Sequence, residues 1–194
     1  MARVLPQRKE CKEGSSMTFV TPVISTDVAF ALVRVVVGLV VAAHGAQKVF
    51  GVWGGPGIEG WKAGMTRMGM RPPTFWGYVS AHTELAGGIA LALGLLIPVV
   101  AALVTMQMAV AIQRAHWAKG FFNTKGGIEF PLTLAAVAAA NGIAEPGIYS
   151  LDRALGLPAF GAGAYVVVLL VAWLAYFAGS RTPRAEQASA TKAA

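Results

Sequence analysis

Seven side chains could do acid–base or anion chemistry in this largely apolar sequence. They are Arg34, His44 and Lys48 in one apolar stretch, Glu84 in the next, Arg114 and His116 at the end of a third, and Glu129 at the start of a fourth. A histidine beside a carboxylate can pass a proton near neutral pH. A lysine or arginine can attract an anion or an electron-rich oxygen. The first stretch, RVVVGLVVAAHGAQK over residues 34–48, would otherwise sit comfortably in lipid. A charged residue within a bilayer span costs roughly 2.5–3.5 kcal/mol on insertion scales, so such residues normally face a protein interior or a wet cavity. On a helix, positions seven apart nearly eclipse, which puts Arg34, Val41 and Lys48 on one face. His44 precedes Lys48 by one turn, at i, i+4, and can neighbour it.

Each of these residues also has a plainer reading. Glu129 at a helix start would favour the helix dipole by roughly 0.3–1 kcal/mol. Lys48 and Arg114 at span ends can snorkel to the headgroups. Glu84 is harder to read as surface, because a long apolar run follows it and Gly87 and Gly88 flank it. A Lys48–Glu84 or Arg114–Glu84 pair would cancel charge and pin the bundle. No metal site is expected: the histidines lack a tight ligand spacing, and His82 falls on the opposite helix face from Glu84. Met106 and Met108 read as packing. Cys11 alone makes no internal disulfide.

The elements that position these residues are apolar helices. The chain has 194 residues, 56% of them hydrophobic and 13% charged, with a mean hydropathy of +0.59. A soluble domain is nearer a quarter charged, so the composition is that of an integral membrane protein. The net charge of +7 lies mostly between the apolar runs, where topology and anionic headgroups account for it. No basic stretch is interleaved with aromatics, so no nucleic-acid partner is expected.

Spans are expected at 28–49, 76–97, 99–118, 128–143 and 159–178. Gly94 and Pro98 divide the long run after Trp76, with a tight turn at Ile97-Pro98. In the second span, Glu84, Gly88 and Leu95 share a face that allows close helix approach. The loop over 51–76 carries Ile58, Trp61, Met65 and Met68 at helical spacing, the pattern of a short amphipathic helix lying on the membrane surface; the plainer reading, favoured here, is a covering loop. Residues 1–26 read as a disordered polar arm, with Met17 an alternative start, and residues 180–194 as a polar tail. Arg34 inside the first apolar core argues against a cleaved signal peptide. The expected fold is therefore all-α: a four-helix membrane bundle over 27–158 with a fifth, C-terminal transmembrane helix over 159–179.

Alternating spans sort the polar groups. Lys48 ends the first span, Glu84 lies toward the start of the second, Arg114 and His116 end the third, and Glu129 begins the fourth. All of them, with His44, His82 and Gln113, fall at one end of the bundle. Arg34 alone belongs to the other.

Several segments resemble the DoxX family of small bacterial membrane proteins: Arg34, Gly38, His44-Gly45 and Lys48; Glu84-Leu85-Ala86-Gly87-Gly88 with Leu93-Gly94-Leu95; His116 with Gly120-Phe121-Phe122; Gly126-Gly127-Ile128-Glu129-Phe130-Pro131; and Gly147-Ile148-Tyr149-Ser150-Leu151-Asp152. The resemblance covers about 28–152 and implies a four-helix bundle. It also implies a link to quinone-dependent oxidation of sulfur compounds and to redox-stress complexes. The charged arm and the fifth span depart from the family's short form.

Three functions follow as expectations. The first is a redox membrane subunit holding a quinone headgroup or a small sulfur anion. Here His44, Glu84 and His116 serve as catalytic proton-handling groups, and Arg34, Lys48, Arg114 and Glu129 as ligand-binding groups. No intrinsic flavin, haem or iron–sulfur motif is present, so electrons must come from a soluble redox partner. Such a site leaves a wet, apolar-walled pocket. The second is a non-catalytic anchor for soluble redox enzymes, marked by a fully paired cluster without room for a ligand. The third is a small-solute carrier, which needs a polar path to both faces. The loop charges favour an outside N-terminus and a cytoplasmic polar cluster in the plasma (inner) membrane. A homo-oligomer is compatible with the sequence.

Overall fold

A computed structural model describes residues 23–144 and 146–180. The expected arm and tail therefore fall mainly outside the described residues. The elements are α1 (Val23–Phe50), α2 (Gly57–Arg67), α3 (Pro73–Leu93), α4 (Ile97–Ala111), α5 (Glu129–Ile143), α6 (Leu151–Ala154) and α7 (Gly161–Ser180). Past Ala111, α4 runs on through a π-helical segment, Ile112–His116, and a 3₁₀ turn, Trp117–Lys119. Among the described residues there are no strands. The helices α1, α3, α4 and α5 form the bundle in that cyclic order, and α7 packs outside it, chiefly on α4. The core is aliphatic and centred on Val41, Leu91, Ala101, Val104 and Ala138.

Three helical stretches are long and apolar enough to cross a bilayer, Thr26–Phe50, Ile97–Lys119 and Gly161–Ser180, and Glu129–Ile143 is a shorter apolar helix. The second expected span, α3, is not among the three. Its 21 residues would reach across lipid, but Ser80, His82, Thr83 and Glu84 lower its hydropathy. Ser80 and Glu84 turn inward and are buried, so the helix spends these two polar groups on the bundle interior.

Small residues set the closeness of α1 to α3. A Cβ on Gly38 would meet the Ala92 backbone nitrogen at 2.5 Å, and one on Gly88 would meet the Gly38 carbonyl oxygen at 2.6 Å. The helix following Glu84 ends earlier than the sequence suggests. Gly94, at φ 74°, stops α3 at Leu93, and Pro98 lies in the first turn of α4 rather than in the turn before it. A proline costs little there because its missing N–H has no helical partner.

The end of the bundle around that turn is closed by the loop before α7. Asp152 is 5% exposed, and its carboxylate accepts the N–H of Leu96 at 2.6 Å and of Ile97 at 2.9 Å. These are orphan donors at the start of α4, and Leu96 sits at a left-handed φ of 49°, unusual for a non-glycine. Arg34, 3% exposed, donates to the carbonyls of Pro146 at 3.3 Å and Tyr149 at 3.0 Å. A Cβ on Gly94 would strike the Arg34 guanidinium. Asp152→Ala is expected to lower stability by about 1–3 kcal/mol, since it removes the cap and leaves the buried Ile97 donor unmet. Thermal unfolding of the detergent-solubilised protein checks this, and an unchanged midpoint would rule out the cap as a stabilising contact.

Candidate functional site

A cavity of about 690 Å³ lies at the other end, beneath α2 and among α1, α3, α4, α5 and α7. Each helix contributes through its own pattern. The α1 stripe delivers Lys48, with His44 one turn back. The α3 face delivers Ser80 and Glu84, again one turn apart. The end of α4 delivers Gln107 and, through the π-helical segment, Arg114 and His116. The amphipathic face of α2 supplies Trp61 and Met65 as a cover, with Met68 just past its end, and Lys62 on the helix donates to Glu59 at 2.6 Å. That bond raises the Lys62 ammonium pKa above its ordinary value.

Glu84 is the hub. It is 2% exposed. One carboxylate oxygen forms an ion pair with Lys48, and the other accepts from Gln107 Nε2 at 3.0 Å. Gln107 Nε2 also donates to Ser80 Oγ at 2.6 Å. The Lys48 ammonium stands 4.2 Å from the centre of the Trp61 ring, a cation–π contact that further fixes it. Lys48–Glu84 is thus the pair that forms, and Arg114 does not join it.

Arg114 is held from α7 instead. Its Nε donates to the Tyr176 hydroxyl at 2.7 Å, and that hydroxyl donates in turn to Gln113 Oε1 at 2.7 Å. Adjacent residues on an α-helix point apart. The wider turn of the π-helical segment lets Gln113 and Arg114 reach the same hydroxyl. His116 Nδ1 lies 2.7 Å from the Gly126 carbonyl. A carbonyl only accepts, so Nδ1 carries the proton and Nε2 the lone pair in the neutral ring. His44 lines the cavity and meets the Phe130 ring at 5.5 Å between centroids.

Five of the seven sequence candidates, His44, Lys48, Glu84, Arg114 and His116, therefore line one cavity. The other two do not. Glu129 accepts the Asn123 N–H at 2.9 Å and braces the loop before α5, and Arg34 lies at the sealed end. His82 is exposed and bonds the Tyr78 carbonyl one turn back. Among the described residues, no three His, Cys, Asp or Glu side chains gather as metal ligands.

Sequence reasoning missed Ser80, Gln107 and Tyr176. The tyrosine had a detectable signal: Tyr165 and Tyr176 are eleven positions apart, three turns on one face, and they are the buried residues of α7. Five methionines, Met65, Met68, Met70, Met106 and Met108, wall the same cavity. Packing, which explained Met106 and Met108 individually, becomes a shared lining.

Residues 29–117 match the family model described as DoxX. No curated protein and no solved structure matches the chain. The matched segment runs from within α1 through α4 and holds all five cavity-lining candidates, while α5 and α7 lie beyond it. With its apolar helices and this match, the chain is a multi-pass membrane protein whose residues 29–117 are similar to the DoxX family.

Proposed function

We propose that the cavity beneath α2 is a ligand site for a quinone headgroup or a small sulfur-containing anion, and that the protein serves as a redox-linked membrane subunit. The observation that carries this reading is the coexistence of room and chemistry. A space of about 690 Å³ adjoins His44, Lys48, Glu84, Arg114 and His116 within largely apolar walls. Small-molecule sites are commonly apolar hollows with a few placed polar groups. A plain anchor would need the cluster but not the space. A carrier would need a polar path through the far end, where Arg34 and Asp152 are tied to backbone.

The residues suit a quinone. Lys48 and Arg114 can bind an electron-rich oxygen, and the apolar walls can take a ring. A bound quinone would supply two-electron acceptor chemistry, its electrons coming from a soluble redox partner that oxidises the sulfur compound. The chain's own part is protonic. Glu84 holds a proton site beside Lys48, and the His116 tautomer leaves Nε2 able to exchange a proton with the ligand. The same reading places the protein in the plasma membrane with the cavity toward the cytoplasm, as a monomer or homo-oligomer.

The test is lipid extraction and mass spectrometry of the gently purified protein. Beside it run Lys48→Ala, which removes a polar contact, and Ala111→Phe, which fills the cavity from its wall. Quinone is expected to accompany the wild type and to fall at least several-fold in both folded variants. A wild type that carries neither quinone nor a sulfur anion would return the cluster to a structural role and favour the anchor.

A further inference from the structure

Lys48 and Glu84 cancel each other's charge within the cavity. Arg114 has no such partner: among the described residues its polar contact is the neutral Tyr176 hydroxyl, and no carboxylate reaches it. The guanidinium also lies 5.6 Å from the centre of the Tyr176 ring. The hydroxyl accepts from Arg114 and donates its proton to Gln113, and Tyr176 is 2% exposed with its ring against Trp76 and Trp173. An arginine held at Nε by a rigid phenol keeps its terminal N–H groups for a ligand. Met65, Met70 and Met106 line the same cavity and pack as one cluster with Tyr176, a soft and adaptable apolar surface.

We infer that the appended helix α7 is part of the binding site, with Tyr176 positioning Arg114 as a fixed anchor for the electron-rich head of an amphiphile whose apolar body lies on the methionine wall. This rests on the cavity being a ligand site and narrows the ligand class. A small inorganic anion would satisfy Arg114 but leave the methionine wall unused. An apolar molecule without a head would leave the arginine's charge unanswered. It also gives a reason for a helix outside the family-matched segment: without α7, Arg114 would lose its contact at Nε.

Trp61 and Trp76 line the cavity, so quenching of tryptophan emission reads its occupancy. The full-length protein in detergent would be titrated with 2-hydroxy-1,4-naphthoquinone, anionic at neutral pH, and with its neutral 2-methoxy counterpart, with thiosulfate as a competitor. The wild type is expected to bind the anionic probe about tenfold more tightly than the neutral one, the scale of one charge-assisted hydrogen bond. Thiosulfate should compete poorly. Tyr176→Phe keeps the ring and removes the hydroxyl. It should erase most of that preference in protein that still folds, because the anionic probe loses its fixed arginine while the neutral probe never used it. Arg114→Gln should abolish the preference.

Wild-type protein that binds neither probe would overturn the ligand-site reading itself. Probe binding with a preference that survives Tyr176→Phe would overturn this inference alone. So would thiosulfate displacing the anionic probe at equal affinity.

Discussion

Glu84→Gln is expected to lower the stability of the folded protein by about 3 kcal/mol, and Lys48→Met in the same chain to recover most of that loss. Glu84 is nearly inaccessible and Lys48 retains 15% side-chain exposure. Removing one partner of a buried ion pair typically costs about 3–5 kcal/mol, because the other charge is left uncompensated. The partial exposure of Lys48 and its seat over Trp61 place the cost at the low end. With Lys48→Met, no charge remains to be compensated, and the flexible side chain keeps contact with the Trp61 ring. The amide introduced by Glu84→Gln can still accept from Gln107. Reversible unfolding of the wild type, both single variants and the double variant would form a cycle that isolates the pair. Additive losses would show that Lys48 and Glu84 stabilise the bundle independently.

That cycle also separates stability from function. If the pair exists only to pin α1 to α3, the folded double variant should behave like the wild type in every other respect. If the cavity binds a quinone or a sulfur anion, the double variant should fold and yet lose its ligand, because both the proton site and a cation are gone. The double variant is therefore more informative than Glu84→Gln alone, whose loss of activity could reflect misfolding.

The polar end of the bundle was legible because it needed only connectivity. Alternating spans bring the end of the first, the start of the second and the end of the third to one side, whatever their packing. The helix α2 was legible as an amphipathic spacing, but its cover over a cavity was not, since spacing says nothing about what a face meets. Arg34 shows a different limit. Its partners are the carbonyls of Pro146 and Tyr149, and a backbone acceptor leaves no mark in a sequence. Asp152 lies in a loop, and its bond to the start of α4 depends on a fold-back across more than fifty residues. The π-helical segment is equally silent: IQRAH has no glycine or proline to announce it. Hydropathy alone also undervalues α3, whose Ser80 and Glu84 face inward.

The second large effect concerns adjacent glycines on α3 that should behave in opposite ways. Gly88→Ala is expected to cost about 3 kcal/mol or more, while Gly87→Ala should be neutral or stabilising by up to about 1 kcal/mol. A Cβ at Gly88 would lie 2.6 Å from the Gly38 carbonyl oxygen and 2.8 Å from Ala42 Cα, both backbone atoms of α1. No rotamer change can relieve that contact, so the helices must separate, at the upper end of the usual overpacking cost or beyond it. A Cβ at Gly87 would meet Val104 Cγ2 at 3.6 Å and Val100 Cγ1 at 3.9 Å, ordinary van der Waals distances, and alanine is the better helix former by about 1 kcal/mol. Propensity alone predicts that both substitutions stabilise, so opposite signs isolate the packing term. The α1–α3 seam also sets the geometry of the site, because Lys48 and Glu84 reach across it. Forcing the helices apart at Gly88, one turn from Glu84, should lengthen the ion pair and loosen the cavity wall. Any ligand retained by the wild type should then be lost from Gly88→Ala and kept by Gly87→Ala. If both alanines are tolerated equally, α1 and α3 are not in the close contact that holds Lys48 against Glu84.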